Sequence, residues 1–61
     1  SDHLLASSTI GGRAVYAWLE PSGEIRLPRL PLHLGDAAAL GAYGRLLLAA
    51  AQAAERKRLS R

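Results

Sequence analysis

From Ala37 to Ala54 the chain is a run of alanine, leucine and glycine broken only by Tyr43, Arg45 and Gln52, and this segment constrains everything else. Alanine and leucine are strong helix formers, whereas Gly41 and Gly44 each cost about 1 kcal/mol relative to alanine. Asp36 precedes the run as an N-cap, and Arg56, Lys57 and Arg58 close it where the helix dipole favours cations. Successive helical residues turn by about 100°, so Arg45, Gln52 and Arg56 share one stripe. Nearly every other position up to Ala54 is apolar or small. That polar stripe is narrower than a surface helix ordinarily carries.

What covers the apolar arc is therefore the central question. Leu40, Tyr43, Leu47 and Ala54 form one ridge, and Ala37, Gly41, Gly44 and Ala51 form a flatter strip beside it. Either a second backbone approaches this strip, or the strip accommodates Trp18 or Tyr16 of the same chain. The expected protein interface is Leu40, Gly41, Tyr43, Gly44, Leu47, Leu48, Ala51 and Ala54, within an arc running from Ala50 through Leu40 to Gly41. A membrane span is disfavoured, because Arg45 near the middle costs roughly 2.5–3.5 kcal/mol and the leucines return little.

Upstream, the pattern changes to strands. Residues 13–28 read as a β-hairpin, with Arg13–Glu20 and Glu24–Leu27 alternating about Pro21-Ser22-Gly23. Proline presets a type I turn, and Gly23 takes the left-handed position that closes a three-residue loop. The register pairs Glu20 with Glu24, Leu19 with Ile25, Trp18 with Arg26 and Ala17 with Leu27. Val15, Ala17, Leu19, Ile25 and Leu27 then share an apolar face. Residues 1–12 are an arm or a first strand folded back at Gly11-Gly12, pairing Ile10 with Arg13, Ala6 with Ala17 and Leu4 with Leu19. Residues 29–35 are a proline-containing linker, residues 36–58 the helix and residues 59–61 a basic tail. The expected fold is α+β: a two- or three-stranded antiparallel β-meander followed by one long C-terminal α-helix, in a single domain over residues 1–61.

Size gives the helix argument its force. A chain of 61 residues without cysteine has a marginal core and no disulfide to brace it. Oligomerisation or a partner is the usual remedy. The expectation is a homodimer that also meets a further, unidentified protein. At 49% hydrophobic residues, the composition is too apolar for a disordered tail. No secretory leader pattern opens the chain, which points to the cytoplasm.

Chemistry-bearing patterns are sparse. Ser, His and Asp occur without a nucleophile-elbow motif. Glu20 and Glu24 flank a turn, where raised carboxylate pKa values are not expected. His3 and His33 cannot close a zinc site without distant carboxylates. Arg26-Leu27-Pro28-Arg29-Leu30-Pro31 has a PxxP spacing, but it fits a strand breaker better than a recognition motif. No catalytic, cofactor or metal residues are therefore expected, and the chain reads as a non-enzyme.

Charge supplies the alternative. Arg13, Arg26 and Arg29 are outnumbered by Asp2, Glu20, Glu24 and Asp36, whereas Arg45, Arg56, Lys57, Arg58 and Arg61 face Glu55 alone. The basicity belongs to the helix end. Arg13, Tyr16, Trp18, Arg26, Arg56, Lys57, Arg58 and Arg61 are the expected contacts if the chain binds nucleic acid, with aromatics stacking bases and the tail meeting phosphates.

Two resemblances bear on these readings. Ala17-Trp18-Leu19-Glu20-Pro21-Ser22-Gly23, then Leu27-Pro28-Arg29-Leu30-Pro31, then Gly35-Asp36 resembles the HicB antitoxins. That family has two strands, a Pro-x-Leu-Pro turn and a helix opened by Gly-Asp, though its linker is longer and a strand follows its helix. The resemblance implies a small inhibitor acting on a protein. The layout alone, a small sheet followed by a helix, is similar to the arm-binding domains of phage integrases and implies DNA contact through the sheet. The favoured expectation is a regulatory module acting by protein–protein interaction, inhibitor or antitoxin-like, with nucleic-acid binding second.

Overall fold

A computed structural model of the chain describes residues 2–29 and 33–59. Three antiparallel strands precede one helix, so the α+β meander with a C-terminal helix is the observed architecture. Strand β1 spans His3–Ile10, β2 Arg13–Leu19 and β3 Ile25–Arg26, and the sheet order is β1-β2-β3. Residues 3–10 are thus a full strand rather than an irregular arm.

Both turns form where glycine permits. Gly11 and Gly12 have φ of 59° and 78°, the left-handed pair that a two-residue hairpin turn requires. At the second turn the Gly23 amide donates to the Glu20 carbonyl at 2.9 Å, and the Glu20 amide donates to the Glu24 carbonyl at 2.8 Å. Trp18 pairs with Arg26 and Leu19 with Ile25, the register that the Pro21-Ser22-Gly23 loop predicts.

Two pairings differ from expectation. Between Leu4 and Ala6 the ladder of β1 carries a bulge, so Leu4 pairs with Trp18 and His3 with Leu19. Leu4 therefore stands on the outer face, 51% exposed, and Leu5 is buried in its place. The extra residue turns Leu5 rather than Leu4 into the core with Ala17, which is fully buried. Strand β3 also ends at Arg26, so Leu27 joins no ladder with Ala17. Pro28 lacks the amide needed to continue it.

Helix α1 spans Ala37–Leu59, one residue beyond the expected end. Asp36 caps it: Asp36 Oδ1 accepts from the Ala39 amide at 2.9 Å. Ala39, Leu46 and Ala50 are its buried residues. The core joins Leu5 and Ala17 to Leu46 and Ala50, with Ala6, Val15, Leu19, Tyr43, Ala53 and Ala54 packed around them. The helix lies over β1 and β2 and makes no contact with β3. No helix of the described residues is long and apolar enough to cross a membrane.

Candidate protein-interaction surfaces

The outer sheet face carries a cross-strand row of Leu4, Trp18 and Arg26. Tyr16 adjoins it, 45% exposed, with its ring centroid 6.2 Å from that of Trp18 and tilted by 46°. Arg26 donates to Asp2 and lies 3.7 Å from Glu20. Two carboxylates therefore compensate the guanidinium of this row. A phosphate approaching the row meets a paired arginine and two acids, which opposes the expected use of Arg26 on nucleic acid. The patch is instead an exposed apolar and aromatic surface, of the kind that marks protein contacts. It adjoins the outer edge of β1, where no Lys, Arg, Asp, Glu or Pro interrupts His3–Ile10.

Arg13 is separated from that row. It pairs with Ile10 at the other end of β2, about 17 Å along the strand from Trp18. There it joins Arg29 and His33 around a groove of about 800 Å³ that also touches Ile10 and Leu34. None of the three has an ion pair or hydrogen bond among the described residues. Sequence reasoning assigned Arg29 and His33 to a linker and did not join them to Arg13.

The basic helix end is distinct again. Arg58 Nε donates to Glu55 Oε1 at 2.7 Å and its Nη2 donates to Oε2 at 3.0 Å. This two-point contact holds the Glu55 carboxyl below its ordinary range and raises the Arg58 guanidinium above its own. Lys57 and Arg58 border a groove beside Leu19 and Ile25, while Arg56 is exposed. Arg61 lies outside the described residues. The expected nucleic-acid set thus falls into three places rather than one surface.

The expected protein interface divides as well. Tyr43 and Ala54 pack against the chain's own core, and Leu47 is half-buried. Leu40 and Leu48 are each 60% exposed, and Gly44 and Ala51 are exposed beside them. The expected open arc began at Ala50, but the structure buries Ala50, with Leu46, against Leu5 and Ala17 of the chain's own sheet, so the open face starts beyond it. The glycines do not accommodate the aromatics, because Trp18 and Tyr16 stand on the far sheet face. A Cβ added at Gly44 would meet nothing within 4 Å, and one at Gly41 only the Arg45 guanidinium at 3.4 Å.

A second groove, of about 820 Å³, runs between the helix and the inner face of β3. Leu19, Ile25, Ala51 and Ala54 are its apolar walls, and Ile25 is 44% exposed. It is the half of the inner sheet face that the helix leaves open. Among the described residues no cluster of three or more His, Asp or Glu side chains is placed to hold a metal. No family model, curated protein or solved structure matches the chain.

Proposed function

We propose that the chain is a small non-enzymatic regulatory module that acts by binding a protein, in the manner of an inhibitor or antitoxin. The observation that supports this reading is the Leu4–Trp18 row, with Leu4 and Tyr16 exposed and Trp18 half-buried, beside a long uncharged edge strand and with its single arginine compensated. Tyrosine and tryptophan anchor protein interfaces, and a free edge accepts a partner strand. The test is affinity capture from the source cell with the native chain and with Leu4→Arg and Trp18→Ala variants. A specific protein retained by the native chain and lost by both variants supports the reading. Equal retention by all three removes it.

One observation favours a second reading. Arg13, Arg29 and His33 line one groove without a carboxylate partner among the described residues, so nucleic acid would be held there rather than on the aromatic row. Titration with duplex and single-stranded DNA separates the two. Binding that falls steeply with salt and is lost in Arg13→Ala/Arg29→Ala selects nucleic acid. Absence of binding at low salt rejects it.

A further inference from the structure

Two of the chain's arginines are matched by acids of their own: Arg26 by Asp2 and Glu20, and Arg58 by Glu55. The groove beside the Gly11-Gly12 turn is different. Arg13, Arg29 and His33 line it, and none of them has an ion pair or hydrogen bond among the described residues. No aspartate or glutamate among the described residues lines it either. Like charges held about one groove repel, and an anion placed between them replaces that repulsion with attraction. A cleft lined by one sign of charge also concentrates ions of the other sign.

The rest of the groove describes the other half of a ligand. Ile10, Val15 and Leu34 are its apolar walls, the first buried and the other two half-buried. Its volume of about 800 Å³ is that of a small-molecule site, where apolar walls hold a body that a few polar groups orient. Guanidinium forks take a carboxylate or a phosphate by paired hydrogen bonds, and charge decides between the two. A single carboxylate leaves one arginine unmatched. A phosphate monoester carries about −1.5 to −2 at pH 7, which matches both arginines and leaves an oxygen for the imidazole. A nucleic-acid strand instead needs cations along a track. Here three cations gather about one point, Arg45 lies over Gly41 outside the lining, and Arg56 is roughly 28 Å along the helix from Ala37.

We infer that this groove binds a small phosphate monoester whose ester group is apolar or aromatic. The phosphate lies between Arg13 and Arg29, His33 donates to a remaining oxygen, and the ester group rests on Ile10, Val15 and Leu34. The site is about 17 Å along β2 from Trp18, so the inference does not rest on the regulatory reading. It assigns the groove a free small molecule in place of a nucleic-acid strand.

The test titrates the full chain, labelled with nitrogen-15, with phenyl phosphate, inorganic phosphate and single-stranded oligothymidylate, and follows the amide resonances. Phenyl phosphate is expected to shift the amides of Gly11, Arg13, Arg29 and His33 saturably, and to bind about tenfold more tightly than inorganic phosphate because the ring is buried on the apolar walls. Arg13→Gln and Arg29→Gln are each expected to weaken phenyl phosphate at least about tenfold with an unchanged circular dichroism spectrum, since both side chains are exposed. Leu34→Ala is expected to narrow the preference for phenyl phosphate and to leave inorganic phosphate as it was. No saturable shift up to about 10 mM phenyl phosphate, shifts at Arg56 to Arg58 as large as those at the groove, or equal affinity in both arginine variants would each overturn the inference. Oligothymidylate that occupies the same amides more tightly than phenyl phosphate at about 0.15 M salt would overturn it in favour of nucleic acid. Trp18→Ala is expected to bind phenyl phosphate as the native chain does, so loss of protein capture and loss of this site are read independently.

Discussion

The two long sides of the helix make opposite use of the same residue types. On the sheet side, Ala39, Leu46 and Ala50 are buried, and the alanines let the helix settle close on Ala17 and Leu5. On the other side, Leu40, Leu48 and Ala51 are exposed, and two glycines are held at a helix-propensity cost, Gly44 with open space above it and Gly41 beneath the Arg45 guanidinium. The first side explains how the chain folds. The second has no account within one chain. Small residues on a helix are therefore not evidence of a contact until the surroundings are known. At Ala50 they record one already made, and at Gly44 they leave room for one.

The largest expected effect breaks this comparison at its leucines. Leu46→Ala removes a side chain only 2% exposed and is expected to cost roughly 2–5 kcal/mol. A fold of this size rarely holds more than about 3–5 kcal/mol, so thermal denaturation followed by circular dichroism should show it largely unfolded. Leu48→Ala, at a side chain 60% exposed, should change the stability of the fold by no more than about 0.5 kcal/mol. Equal losses at both positions contradict the two-sided reading.

Next in size is the bulge of β1. Leu5→Ala is expected to cost roughly 2–4 kcal/mol in a urea titration, and Leu4→Ala within about 0.5 kcal/mol. The reverse order would place the ladder in the unbulged register, with Leu4 inside.

Gly44→Ala is sharper though smaller. The added methyl meets open space and should contribute up to about 1 kcal/mol of helix stability, read as a rise in melting temperature. A fall would contradict the open space over Gly44.

The smallest effect concerns the Glu55–Arg58 pair. Its carboxyl is held below the ordinary range, so its contribution is complete above that range and is lost as pH falls through the lowered value. Both groups are fully exposed, so fraying of the last helical turn at acid pH should be slight. A shift in global melting temperature as large as that of Leu5→Ala would contradict a purely local role.

Much of this was legible in the chain. Asp36 before an alanine run, Gly11-Gly12 and Pro21-Ser22-Gly23 are local signals, and each acts within a few residues, so the turns and the helix start followed directly. The bulge was not legible. Leu4 and Leu5 fit the inner face equally well by type, and only packing against Ala17 selects between them. The covered side of the helix was hidden for the same reason, since an arc that is apolar almost all round does not state where the sheet sits. Arg13, Arg29 and His33 line one groove from distant stretches of the chain, which no short-range pattern encodes.

The central claim, that the helix is covered by its own sheet on one side and open on the other, is tested most directly by comparing Leu46→Ala with Leu48→Ala in urea denaturation. The account expects a loss of roughly 2–5 kcal/mol at Leu46 and a change within about 0.5 kcal/mol at Leu48. Similar losses at both positions, or a larger one at Leu48, would contradict it.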